Sequence, residues 1–477
     1  MFRRSVVVAV AVALGAFPGV IPPAGAQDEE PNAPLMSANV QVVTAIPNPG
    51  VIGARFKDGV MYVTSVSGLT TYDISDPAAP VELGRLPLPH FENEDVDLGR
   101  NILLISNDAA ESTGILYVID IRDPAAPSIL STFPMGGAAG VGGPGHTASC
   151  VLGCKFAWVT DGGALRVIDL REPATPVDLG TFELPTGGLA THDVQVDPNG
   201  LVWVAGFNGT AAYRLPSDYD GPGDEKLVAR TNVEAESTYD EEFGTGDGSN
   251  FNDYIHHNSL RRKSDDVLFV TEEDYTRPAC QGAGSFQTWR LPIDRRGNPT
   301  GKQLTPLDKW ETELIRDTTA ASAMCSAHYF DIEKNVVAQG WYEQGVRFLD
   351  VSNPKNIRQI GYFVPPSAMT WAAYFAPGDK AQETVYVFDA THGIDVVRLT
   401  RPPKGALSAP HRPCRTKRCA RKNRAPARRA PILDEWWAEP PTTEPEDPIV
   451  GAADQRFGWA CRLGLSEEVP IQVAPRR

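Results

Sequence analysis

The sequence predicts an all-β fold, a seven-bladed β-propeller of four-stranded antiparallel blades closed by an N-terminal strand, with a disordered C-terminal tail. Three observations predict it: a repeated phrase, seven groups of short strands, and a lone strand at the front of the chain that completes the last group. The phrase reads LTTYDISDPAAPVELG at 69–84, LYVIDIRDPAAPSILS at 116–131, LRVIDLREPATPVDLG at 165–180 and VRFLDVSNPKNIRQIG at 346–361. Its first three aspartates, Asp73, Asp120 and Asp169, recur 47 and 49 residues apart. A period of that length belongs to an array of small sheet units and not to one globular core.

Each part of the phrase has a physical role. The alternating apolar run builds a strand, and the closing Asp can accept hydrogen bonds from the turn amides that follow it. The prolines fix φ and refuse to continue the ladder, after which V-x-L-G starts another strand. Two further strands precede the phrase, as in DVDLGRNILLIS, SCVLGCKFAWVT and DIEKNVVAQGW. Four strands of about five residues per ~45-residue unit make a propeller blade. The D-[IVL]-x-[DEN]-P-x-x-P phrase after L-x-V-I resembles the LVIVD-repeat proteins, bacterial secreted β-propellers, over roughly residues 40–400. The resemblance implies the fold and carries no agreed activity.

Inner strands are expected to start near Ala54, Glu94, His146, His192, His257, His328 and Trp371. Blades four and five are degenerate, their third strands TAAYRLP (210–216) and FQTWRLP (286–292) having Leu-Pro in place of the Asp. The seventh supplies only three strands before Pro402, and VQVVTAIP (40–47) has the pattern of its missing outer strand. Closing the ring in this way removes two free sheet edges.

The ends of the chain bear on compartment. Arg3, Arg4, the apolar run Val6–Phe17 and Ala24-Gly25-Ala26 before Gln27 read as a secretory signal peptide over 1–26. A disordered lead-in follows over 27–38, then the propeller over 39–400, then a basic and later acidic, Pro-rich tail over 401–477, mostly disordered. No other apolar run is long enough for a transmembrane anchor, so a secreted protein is expected, in solution or associated with the cell surface. Eleven Lys and Arg lie between Arg401 and Arg429 in a chain of net charge −16. That basic stretch is either a solvated linker or a contact for an anionic surface or for the acidic propeller itself; an exported protein is not expected to meet nucleic acid. Seven cysteines in an exported chain suggest disulfides: Cys150–Cys154 across a hairpin, Cys280–Cys325 between blades five and six, and Cys414–Cys419 in the tail, with Cys461 left over.

Histidine placement is the chemical signal. His146, His192, His257 and His328 each open an inner strand, in HTASC, HDVQV, HNSLR and HYFDI, and Glu94 holds the equivalent place in blade two. Inner strands run beside the channel, so these residues can converge although they lie 46, 65 and 71 positions apart. Neutral imidazoles with a carboxylate suit a divalent transition metal, Zn, Cu or Fe. His90 and His256 are expected in the loops leading into these strands and His392 in a loop on the same side. Glu272, Glu273, Asp161 and Glu343 are expected there as acids that orient the rings. The loops 233–255, 272–285 and 309–327 also fall on this side, with Phe251, Tyr275 and Trp310 as walls for a small organic ligand. The competing reading is a repeat-consensus histidine bonded to the next blade. No nucleophile elbow, P-loop or H-E-x-x-H motif occurs, and no catalytic residue is assigned.

Two functional classes follow. The first is a binding or scaffold protein for a protein, a cell-envelope polymer or a small molecule. The second is a metal-dependent oxidoreductase or hydrolase, similar in arrangement only to the propeller carotenoid oxygenases, whose axial histidines hold iron.

Overall fold

The computed structural model describes residues 33–88, 96–107, 114–136, 144–184, 191–207, 209–231, 251, 255–263, 265–274, 284–312 and 326–401. The signal sequence expected over 1–26, the tail from 402 on, Glu94, His90, Cys280, Cys325, Cys414, Cys419 and Cys461 lie outside them.

Seven antiparallel sheets make seven blades, their first strands Val51–Lys57, Val96–Gly99, Ala148–Val151, Thr191–Val196, Ile255–Arg261, Phe330–Glu333 and Thr370–Phe375. Among the described residues there is no helix. In six of the seven neighbouring pairs the first strands touch one another, which places them around the axis. Blade one starts at Val51, three residues before the expected Ala54. In all seven blades the two outer strands pair with a register shift. Such bulges increase local twist, which fans a blade from axis to rim.

Among the described residues seven apolar cores are each made by the facing sides of two adjacent blades, and a small eighth cluster draws on blades six, seven and one. Alternation along each strand sends residues to both faces of a blade, and each face meets a neighbour. No blade has a core of its own.

Val40–Pro47 pairs with Gly393–Leu399 from Val40↔Leu399 to Pro47↔Gly393, completing blade seven as the sequence predicts. The lead-in expected to be disordered over 27–38 adds more than this. Leu35–Met36 forms a fifth strand on blade six, pairing with Val364 and Phe363. Between the two strands, the Asn39 side chain donates to Ile360 O (2.9 Å) in blade six, while the Thr400 amide donates to Asn39 O (2.8 Å) after blade seven. One N-terminal segment thus grips two blades.

The repeated phrase explains its own residues. Asp73, Asp120, Asp169 and Asp350 each accept the amide two residues on, at 2.8–3.0 Å. The Pro carbonyl that follows accepts a hydroxyl from the preceding blade: Thr71 to Pro124 (2.6 Å), Ser131 to Pro173 (2.6 Å), Thr288 to Pro354 (2.6 Å) and Tyr386 to Pro77 (2.9 Å). A bend held by the Asp thereby presents a carbonyl to the neighbour. Cys150 and Cys154 form the expected disulfide across the hairpin of blade three.

Candidate metal centre

The axial end of each inner strand is shaped by its backbone. In blades one, four, five and seven the pairing slips at Ile52, His192, His257 and Trp371. A bulge leaves its residue out of the ladder and re-aims the side chain. His146 and His328 lie just before the ladders of blades three and six, two residues ahead of Ala148 and Phe330. Hydroxyls secure the neighbouring backbone, Ser106 donating to His146 O (3.1 Å) and Thr147 to His192 O (2.6 Å).

The four imidazoles follow one another around the axis. Ring centroids are 4.5 Å apart for His146 and His192, 4.3 Å for His192 and His257, and 4.0 Å for His257 and His328. All four residues are at most 3% exposed. Beside His328, whose ring is 4.8 Å from that of Trp371, the residues Ile52, Met369, Trp371 and Ala390 cluster with Tyr342.

The carboxylate among the histidines is Glu273, the last residue of the second strand of blade five (Val267–Glu273). Its Oε2 lies 3.6 Å from His192 Nε2 and 3.9 Å from His257 Nε2, and its Oε1 lies 4.0 Å from His328 Nε2. His192, His257 and Glu273 form a set whose donor atoms all lie within 4.8 Å of one another. His146 Nε2 adjoins it, 3.1 Å from His192 Nε2. The His328 Nδ1–H donates to Trp371 O (2.9 Å), so in the neutral ring the Nε2 lone pair is turned toward Glu273. Donors bonded to one ion at about 2.0–2.2 Å stand roughly 3–3.5 Å apart. The spacing here is near that value, and two imidazoles with one carboxylate are a donor set that transition metals accept.

The sequence-predicted residues therefore separate. His192 and His257 enter the compact set, His146 and His328 flank it, and Glu94 lies outside the described residues. Glu273, expected as an orienting acid in a loop, is on a strand and at the centre. Its neighbour Glu272 points the other way and accepts from Ser285 (2.7 Å). Asp161 is spent on Arg166 (2.7 Å).

His256 is in the inner strand and not in a loop, its ring turned away from the axis. It donates to Phe251 O (2.7 Å) and accepts from Thr210 (3.0 Å), and burial lowers its pKa to about 4. His392 lies between Asp389 (3.2 Å) and Asp395 (2.7 Å), which raise its pKa to about 10. Phe251 packs on Trp289 and Trp310 on Trp341, so neither is a wall of the axial site. The loops expected above the site lie largely outside the described residues.

Comparison with known proteins supports the fold. Residues 58–86 match the LVIVD repeat, covering the second to fourth strands of blade one. Among solved structures, the β-propeller domain of Cps50 (Swd1) from Myceliophteria thermophila aligns at 11% identity and TM-score 0.52, over 76% of this chain and all of that one. U3-55K aligns at 9% identity and TM-score 0.49 over 76% and 99% of the two chains. A chain of the Mitotic Checkpoint Complex aligns at 10% identity and TM-score 0.47 over 83% and 99%. At such identity the first of these speaks for the propeller fold alone. No curated protein matches the chain.

Proposed function

We propose that this seven-bladed propeller, which carries an LVIVD repeat in its first blade, is an exported binding protein that holds one divalent transition metal at its axis through His192, His257 and Glu273. The single observation behind this reading is the convergence of three buried donor atoms from blades four and five, all within 4.8 Å. Burying a carboxylate among imidazoles is costly unless a cation or proton offsets its charge. A metal does so, and supplies Lewis acidity where it sits. The Cys150–Cys154 disulfide accords with an oxidising compartment, and the interblade hydroxyl locks suit a rigid platform whose loops carry recognition.

Elemental analysis of protein purified without a His-tag tests the reading. We expect about one Zn, Cu or Fe per chain, lost in the His192→Ala, His257→Ala double variant. Metal-free wild-type protein of full stability would overturn it.

The enzyme reading rests on one feature, that three protein donors leave coordination positions for substrate or water. Substrate-dependent turnover abolished by Glu273→Gln would favour it.

A further inference from the structure

Among the described residues, Tyr342 combines a left-handed backbone with a direct bond to a proposed ligand. It follows the second strand of blade six (Val336–Gly340), and its hydroxyl donates to Glu273 Oε1 at 2.5 Å, from a position 69 residues further along the chain. Its φ is +32°, a left-handed value that costs a non-glycine residue roughly 1–3 kcal/mol and persists only where surroundings enforce it. They do so here: the amides of Thr370 (3.0 Å) and Gly345 (3.1 Å) both donate to Tyr342 O, the first across the junction with blade seven. The ring packs against His328, 4.9 Å away, and Trp371, 5.8 Å away.

We infer that Tyr342 is a positioning residue, holding Glu273 so that one oxygen is occupied and the other faces His192 and His257. The inference rests on the metal reading above. The hydroxyl takes Oε1, and Oε2 is the oxygen found 3.6 Å and 3.9 Å from the two imidazole nitrogens. A carboxylate with one oxygen engaged presents the other as a single-oxygen ligand. Without the hydroxyl it can rotate, bind through both oxygens, or turn away. Partners of this kind around metal ligands are typically worth about 10–100-fold in affinity.

The test is competition for Zn(II) against a chromogenic chelator, with the visible spectrum of the Co(II)-loaded full chain recorded alongside. Tyr342→Phe should weaken Zn(II) binding about 10–100-fold and change the Co(II) bands, which weaken as coordination number rises. Tyr213→Phe, a buried tyrosine in the core between blades three and four, should change neither. Tyr342→Gln keeps a donor on a shorter arm and should give intermediate affinity; it provides the comparison if the Phe variant folds poorly. Wild-type affinity and spectrum in Tyr342→Phe would overturn the inference and leave the metal site standing. A wild-type protein that binds neither Zn(II) nor Co(II) would overturn both.

Discussion

At the scale of single residues, the axial cluster and His392 make opposite demands on protons. Metal binding needs neutral imidazoles, so affinity should fall as pH drops through the ordinary histidine pKa of about 6.5, read by equilibrium dialysis between pH 8 and 5. Glu273→Gln removes the one carboxylate from the set of His192, His257 and Glu273 and should cost more affinity than His146→Ala, because His146 flanks that set. Equal losses would mean that the site centres elsewhere. His392 has a folded pKa near 10 against an ordinary 6.5, raised by the carboxylates of Asp389 and Asp395. Its stabilising contribution is full below about 6.5 and disappears as pH rises toward 10. The stability difference between wild type and His392→Gln, from urea unfolding, should therefore be largest at pH 6 and shrink by pH 10.

At the scale of elements, the Asp-Pro phrase is a device for joining blades. Its carbonyl lock occurs where the receiving blade has the phrase, at Pro77, Pro124, Pro173 and Pro354. Thr71→Val keeps the shape of a buried residue and removes the hydroxyl given to Pro124, so about 1–2 kcal/mol should be lost. Gly84 bears on the same joint, since a Cβ there would stand 2.3 Å from Ala125 O. Gly84→Ala should cost roughly 1–3 kcal/mol through forced separation of blades one and two. Urea unfolding measures both, and unchanged midpoints would deny the joint its role.

The strands were legible in the sequence because alternation and the Asp-Pro bend are local signals. The axial site was legible only in part. Four histidines at strand openings could be aligned by repeat, but Glu273 looked no different from Glu272, and only its place on the strand separates them. Tyr342 carried no signal, because its reach depends on a left-handed backbone that no pattern encodes. His256 shows the limit of reading adjacent residues together: one position along a strand turns the side chain to the other face.

At the scale of the molecule, a ring with cores only between blades has no independent half. Its closure depends on the segment from Leu35 to Pro47, which pairs with blade six and completes blade seven. Deleting residues 33–48 exposes both edges and removes Asn39 from between the blades, so the whole ring should unfold at lower temperature and aggregate. A monomeric deletion variant with the wild-type midpoint would refute that dependence. The same closure holds the inner strands of blades four, five and six at the spacing the axial cluster needs. The most direct measurement of the central claim is anomalous diffraction at the metal absorption edge from crystals of untagged protein. One peak is expected roughly 2.0–2.2 Å from His192 Nε2, His257 Nε2 and a Glu273 oxygen; crystals with no axial peak, or with the metal bound elsewhere, would rule out the axial metal site.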